Sequence, residues 1–271
     1  MNENMNQIET TVTPKVLATP LRIAMALTLG TMLIAASANA ALIEGGDRSD
    51  LLVGADDDNL QNTVIQPEGA PDQSLSNTDV ILGRKGNDVL IGLLGNDVIR
   101  GGGGHDVIIG GTEQGTLPNS DIMFGDDGHD VNIWRGGDGS DAFIGGRGVD
   151  ALVMGAIDRD DNNVPKIVPA TGRYENTGLP TADVTGQGGF CTLEDVRGEK
   201  LGYDFLVRFF LKSTRALAVT IRVAEVEQVF CTSDTAAAIT FADLTAESPA
   251  FEEVSLQDVA KLNATVGEII R

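Results

Sequence analysis

Aromatic residues are scarce, at 4% of 271 residues, which is thin for an ordinary enzyme core. Cations are few as well: 19 Lys and Arg stand against 40 Asp and Glu, a formal charge of −21. So acidic a chain is a poor match for nucleic acid or an anionic membrane surface, and its natural counterions are cations. Only two histidines and two cysteines are present. Cys191 and Cys231 lack any C-x-x-C spacing, and no H-E-x-x-H, G-x-S-x-G or Walker sequence occurs. No catalytic residue is therefore assigned, and the chain is expected not to be an enzyme.

Long apolar runs are also missing. The longest, residues 23–36, is too short to cross a bilayer of roughly 30 Å comfortably. It follows a polar leader with Lys15 and Arg22 and precedes Ser37-Ala38-Asn39-Ala40, with small residues at −3 and −1. This reads as a secretory signal over 1–40, cut after Ala40, with no stable membrane insertion afterwards. Export would place the two cysteines in an oxidising compartment that allows a Cys191–Cys231 disulfide.

Glycine, in contrast, is abundant. Of 33 glycines, 20 lie in residues 83–155, an excess that points to a repeat. Three contiguous nonapeptides, GRKGNDVLI, GLLGNDVIR and GGGGHDVII, start at Gly83, Gly92 and Gly101. Three more, GDDGHDVNI, GGDGSDAFI and GGRGVDALV, start at Gly125, Gly136 and Gly145. Each has glycine first, glycine fourth and aspartate sixth. These are Gly83, Gly86 and Asp88; Gly92, Gly95 and Asp97; Gly101, Gly104 and Asp106; Gly125, Gly128 and Asp130; Gly136, Gly139 and Asp141; and Gly145, Gly148 and Asp150. The eighth position is Leu90, Ile99, Ile108, Asn132, Phe143 and Leu152, apolar except for Asn132.

Nine residues hold a six-residue turn and a three-residue strand. Glycine lets the turn fold back and expose its carbonyls. The middle strand residue points inward and its neighbours outward. Two nonapeptides close one coil, and coils stack as parallel strands about 4.8 Å apart. Aspartates of alternate repeats then form columns, and carboxylates that close repel unless a cation lies between them. Hard oxygen donors, carboxylate and carbonyl together, select Ca²⁺.

The run GRKGNDVLIGLLGNDVIRGGGGHDVIIGG resembles the RTX, or haemolysin-type calcium-binding, repeat family, with consensus G-G-x-G-x-D-x-U-x. The resemblance covers roughly 70 residues well, and about 110 with degenerate flanks. It implies a parallel β-roll with Ca²⁺ between turns, held by the six sixth-position aspartates and turn carbonyls. Asp79 and Asp121 fit sixth positions without the preceding glycines, Asp50 fits in GGDRSDLLV, and Asn59 lies nine residues beyond it. Ten half-turns make five coils. Strict alternation gives one column of Asp50, Asp79, Asp97, Asp121 and Asp141, and another of Asn59, Asp88, Asp106, Asp130 and Asp150. Asp88 with Asp106 is the leading bridging pair, since no insertion separates the two; the insertions at 63–77 and 112–120 leave the roll as loops. His105 and His129 occupy the fifth, turn position, which argues against a catalytic or zinc role. Asp158-Arg159-Asp160-Asp161-Asn162-Asn163 starts like an EF-hand loop, but its twelfth position would be Pro169 rather than Glu, so it reads as solvated linker.

The expected architecture is mostly β: a β-roll over 41–157, a linker over 158–185 and a small α+β domain over 186–271. Alternation in Phe205-Val207-Phe209-Leu211 and Leu217-Val219-Ile221-Val223, parted by residues 212–215, gives a strand–turn–strand. A further strand is expected over 226–231. Leu256, Val259, Leu262, Val266 and Ile269 recur at helical spacing behind a Ser255/Asp258 capping-box variant. This unit could cap the open roll, whose strand edges are otherwise exposed. The leading functional expectation is a secreted protein that folds on binding calcium. The alternatives are a calcium-dependent adhesin or extracellular matrix or surface interaction protein whose C-terminal domain contacts an extracellular protein or glycan partner, and a secreted hydrolase without the usual motifs.

Overall fold

The computed structural model describes residues 42–54, 79–111, 120–161, 164–168 and 178–270. The expected signal at 1–40, Asn59, the 63–77 insertion and nearly all of the 112–120 insertion lie outside them.

The repeats form a β-roll. Its five coils are β1 (Leu42–Glu44) with β2 (Leu51–Val53), β3 (Val80–Lys85) with β4 (Val89–Leu93), β5 (Val98–Gly104) with β6 (Val107–Gly111), β7 (Ile122–Gly128) with β8 (Val131–Trp134), and β9 (Ala142–Gly148) with β10 (Ala151–Met154). Odd strands stack in parallel in one sheet and even strands in the other. The register follows the repeat: Val89 pairs with Val107, Leu90 with Ile108 and Ile91 with Ile109. Between the sheets lies a core of Ile81, Leu90, Ile99, Ile108, Met123, Phe143 and Leu152. These eighth-position contacts repeat because side chains alternate along a strand, so the eighth residue points inward between two outward neighbours. Asn132 keeps its place in that row: it is buried, and its amide donates to Ile108 O at 3.1 Å.

Past β10 come the short pairs β11 (Ala156–Ile157) with β14 (Ala182–Asp183) and β12 (Ile167–Val168) with β13 (Leu179–Pro180). Then β15 (Gly189–Asp195), β16 (Phe205–Leu211), β17 (Leu217–Ala224), β18 (Gln228–Thr232), β19 (Ile239–Asp243) and β20 (Glu252–Val254) lead to α1 (Leu256–Leu262) and α2 (Ala264–Ile269). Strand β17 lies parallel to β9, and β18 parallel to β10. The two therefore act as a sixth coil. Beyond them each sheet continues antiparallel, through β16 and β15 on one side and β19 and β20 on the other. Cys191 on β15 is disulfide-bonded to Cys231 on β18, which ties the two sheets together.

Residues 186–270 therefore share both sheets with the repeats instead of standing as a body of their own, and the described residues fall in one compact unit. The 158–185 segment is also more than a linker. Leu179, Ala182 and Val184 join Phe230, Val259, Val266 and Ile269 in a second core against Val89, Ile91, Val107, Ile109, Val131, Ile133, Ala151 and Val153. The outward faces of the even strands are thus covered, where the strand alternation alone suggests solvent.

The helical stretch is broken in two. Ser255 caps α1, its side chain accepting the Asp258 N–H. Asn263 is extended (φ −151°) and accepts the Val266 N–H, so it ends α1 and caps α2. A short polar side chain that bonds the backbone locally is favoured at such a cap. Val259, Val266 and Ile269 are buried, but Leu256 and Leu262 are exposed.

Candidate metal centre

The sixth-position aspartates form two ladders. In one, the N–H groups of Asp50, Asp88, Asp106 and Asp130 donate to Oδ1 of Asp88, Asp106, Asp130 and Asp150 at 2.8 Å each. In the other, Asp79, Asp97 and Asp121 donate to Asp97, Asp121 and Asp141 at 2.7, 2.8 and 2.9 Å. The Asp88–Asp106 pair is stacked as the repeat spacing implies.

Asp50 is the exception to the expected columns. Its ladder is that of Asp88, and β2 pairs with β4. Strand β1, ahead of Asp50, pairs with β3 and forms the other half of the first coil, which reverses the expected parity of Asp50. The number of half-turns in an insertion fixes that parity, and the nonapeptide period does not reach across it.

Asp88, Asp97, Asp106, Asp130 and Asp150 turn their second oxygens toward the first glycine of their own turns. A Cβ placed on Gly101 would meet Asp106 Oδ2 at 2.3 Å and Gly125 O, one coil further, at 2.8 Å. At Gly83 the same two partners are Asp88 Oδ2 and Gly101 O, both at 2.5 Å; at Gly92 they are Gly110 O at 2.2 Å and Asp97 Oδ2 at 2.4 Å; at Gly125 they are Asp130 Oδ2 and Gly145 O, both at 2.5 Å. The first position is glycine because carboxylate and carbonyl close on the space a side chain would fill. The fourth-position glycines Gly86, Gly95, Gly104, Gly139 and Gly148 have positive φ, which allows the turn to reverse. Gly136 differs: nothing crowds it, and the two-residue insertion Trp134-Arg135 ahead of it reshapes that turn. There Trp134 donates to Gly139 O at 2.9 Å, and the buried Asp138 lies 3.5 Å from Arg135 and 3.7 Å from Arg159.

The electrostatics are those of a site built for a cation. Oδ2 of Asp88, Asp97, Asp106, Asp130 and Asp150 is buried with no hydrogen-bond partner among the described residues. Burial raises these carboxylates: Asp88 to about 6, Asp106 and Asp150 to about 7, and Asp130 to about 9. Asp97 is also pushed far above the usual carboxylate range, by burial first and then by repulsion from Asp121 and Asp79. The backbone N–H bond to each pulls the other way, and neighbouring carboxylates add to the rise. An unsatisfied buried polar atom costs about 1–3 kcal/mol, and more when charged.

Hard oxygen donors in this arrangement fit Ca²⁺, which takes about 6–8 oxygens from carboxylates and carbonyls. No three His, Cys, Asp or Glu side chains are gathered into one metal-binding group among the described residues. Turn carbonyls must therefore supply much of any coordination shell. The histidines do not contribute an open site: His129 N–H donates to His105 Nδ1 at 2.9 Å, Val149 N–H to His129 Nδ1 at 2.8 Å, and the rings stack 5.0 Å apart. The fifth position is thus a structural row, continued by Asn87, whose Oδ1 accepts the His105 N–H at 2.8 Å.

The RTX calcium-binding nonapeptide repeat model matches residues 76–117 and 135–152, in four copies. The chain carries RTX calcium-binding repeats. The matched stretches hold Asp88, Asp97, Asp106, Asp141 and Asp150. The nonapeptide at Gly125 falls between them, yet Asp130 takes its place in the ladder at the same distance as its neighbours. No curated protein matches the chain.

Sequence reasoning missed one contributor. The Asp150 N–H donates to Glu227 Oε2 at 2.7 Å, so a glutamate outside the RTX repeats follows the last aspartate of the first ladder. A lone glutamate far from any nonapeptide gives no repeat signal.

Proposed function

We propose that the protein is a secreted, non-enzymatic calcium-binding protein whose repeats fold on binding calcium. The observation that carries this reading is the buried second carboxylate oxygen of Asp88, Asp97, Asp106, Asp130 and Asp150, which has no hydrogen-bond partner among the described residues. Without a cation, repulsion along the ladders and the chain entropy of a glycine-rich segment oppose the roll. When bound, calcium supplies positive charge between the turns. The protein's own part is to hold carboxylate and carbonyl oxygens against each first glycine, and to keep water from them by stacking the coils. Asp88, Asp97, Asp106, Asp130 and Asp150 would hold the ion together with first-position carbonyls.

Secretion is supported by the Cys191–Cys231 disulfide, which persists in oxidising compartments. Extracellular modules commonly bind calcium in about the 10⁻⁴–10⁻³ M range, where such a roll would be folded outside a cell. No helix among the described residues is long and apolar enough to cross a membrane.

Isothermal calorimetry of the chelated full chain tests the reading. Several calcium ions should bind with affinities near that range, and Asp106→Ala should raise the calcium needed for half-saturation at least several-fold. A chain that binds no calcium, or an Asp106→Ala chain with an unchanged midpoint, would overturn it.

A further inference from the structure

The turn that joins β17 to β18 has no glycine and no resemblance to a nonapeptide, but it occupies the place of one. Ala224 pairs with Ile144 and Gln228 with Ala151. Residues 225–227 thus lie over the six-residue turn 145–150, with Glu225 in line with Gly145 and Glu227 in line with Asp150. Three contacts reproduce those between successive repeats. Glu227 Oε2 accepts the Asp150 N–H at 2.7 Å, as each ladder aspartate does for the one before. Gly146 N–H donates to Glu225 O at 3.2 Å. A Cβ on Gly145 would meet Glu225 O at 2.2 Å and Asp150 Oδ2 at 2.6 Å, the same carbonyl–carboxylate pair that closes on Gly83, Gly101 and Gly125.

The positive φ of Glu225, 53°, belongs to the same arrangement. A non-glycine residue rarely adopts it, and here it accompanies a carbonyl directed at the turn below. Asp150 Oδ2 is buried and has no hydrogen-bond partner among the described residues. Asp204 adds further negative charge, its Oδ2 accepting the Glu225 N–H at 2.9 Å. Nothing cationic is paired with Asp150 or Glu227 among the ion pairs of the described residues.

We propose that the 225–227 turn completes a further calcium site with the last repeat turn, using the Asp150 and Glu227 carboxylates and the Glu225 carbonyl. The proposal rests on the calcium reading above. It makes the segment after the repeats a provider of ligands as well as a cover for the roll's end. One ion there would be the last of the first ladder, and its binding would couple β17 and β18 to the repeats.

Glu227→Gln is the informative variant, because the amide oxygen can still accept the Asp150 N–H while the charge is lost. Calcium stoichiometry of the full chain, measured by calorimetry with far-UV circular dichroism as the check on folding, should fall by one ion, or that site should weaken more than tenfold. Glu227→Asp keeps the charge and the residue type of the ladder, and should keep the count. Glu199→Gln, on an exposed turn, should leave it unchanged. A folded Glu227→Gln chain with the wild-type count and affinities would overturn the proposal. If Glu227→Gln fails to fold even in calcium, Glu227→Asp decides: a full count supports the site and a count lower by one overturns it. A wild-type chain that binds no calcium sinks the underlying reading instead, so the two failures are distinguishable.

Discussion

The second position of each repeat turn lies in left-handed backbone: Gly102, Gly137 and Gly146 have φ of 106°, 108° and 107°. Arg84, Leu93 and Asp126 occupy the same place with φ of 76°, 76° and 72°. A side chain there costs roughly 1–2 kcal/mol relative to right-handed backbone, and glycine escapes most of it. Asp126 has a return, since it pairs with Arg100. Among the described residues Arg84 makes an exposed ion pair with Glu44, which is worth about 0–1 kcal/mol. Arg84→Gly should therefore stabilise the calcium-loaded protein by about 1 kcal/mol. Thermal denaturation in saturating calcium would show a melting temperature a few degrees higher; a fall would mean that the ion pair outweighs the backbone strain.

Single residues also mark how far the sequence could be read. Each first glycine, sixth aspartate and eighth apolar residue is visible because the coil repeats its demands every nine positions. Glu227 is invisible for the opposite reason: it meets the ladder's demand once, through tertiary register, with no period around it. Asp50 is visible as a sixth-position residue, but its ladder depends on what the chain does between Val53 and Val80. The Asp138 cluster with Arg135 and Arg159 has no signal either, since Arg159 comes from a segment that reads as solvated linker.

At the scale of elements, the hairpin of β16 and β17 matches the alternating pattern, with Phe205, Val207, Phe209, Ile221 and Val223 buried. What the alternation could not say is that β17 would lie parallel to β9 while pairing antiparallel with β16. Strand propensity is indifferent to the partner. The even strands show the same limit. Val89, Ile91, Val107 and Ile109 flank the inward residues and are apolar, a feature that two-faced burial explains and a free-standing roll does not. Their cover comes from residues 179–184 and the two helices, so the C-terminal segment 186–271 tested in isolation would expose the second core.

The disulfide belongs to this scale, because it fastens β15 of one sheet to β18 of the other across 40 residues of sequence. By chain entropy alone, closing a loop of that length contributes about 4 kcal/mol. Cys191→Ser with Cys231→Ser should lower the calcium-saturated melting temperature, and the loss should appear equally in circular dichroism and in the emission of the buried Trp134. An unchanged melting temperature would mean that the bond constrains an already ordered segment.

For the whole molecule, burial of the ladders sets the response to pH. The folded values of Asp88, Asp106, Asp130 and Asp150, from about 6 to about 9, lie above the ordinary carboxylate value of 3.8. Stability from such groups is fully present below the unfolded value and is lost as pH rises through the folded values. The calcium-free protein should therefore melt at a higher temperature at pH 5 than at pH 8. Calcium binds the ionised form, so its affinity should rise over the same interval. Melting curves in chelator at the two pH values check the first statement, and calorimetry checks the second. A calcium-free chain more stable at pH 8 would contradict the burial of the ladders.

The net charge of −21 works in the same direction, since every ion taken up relieves repulsion throughout a roll that has few cations of its own. The most direct test of the account is far-UV circular dichroism and thermal melting of the chelated full-length protein as calcium is added back. The account predicts a cooperative gain of β-sheet signal and a rise in melting temperature that saturate together at submillimolar to millimolar calcium. A spectrum and melting temperature that do not respond to calcium would contradict it.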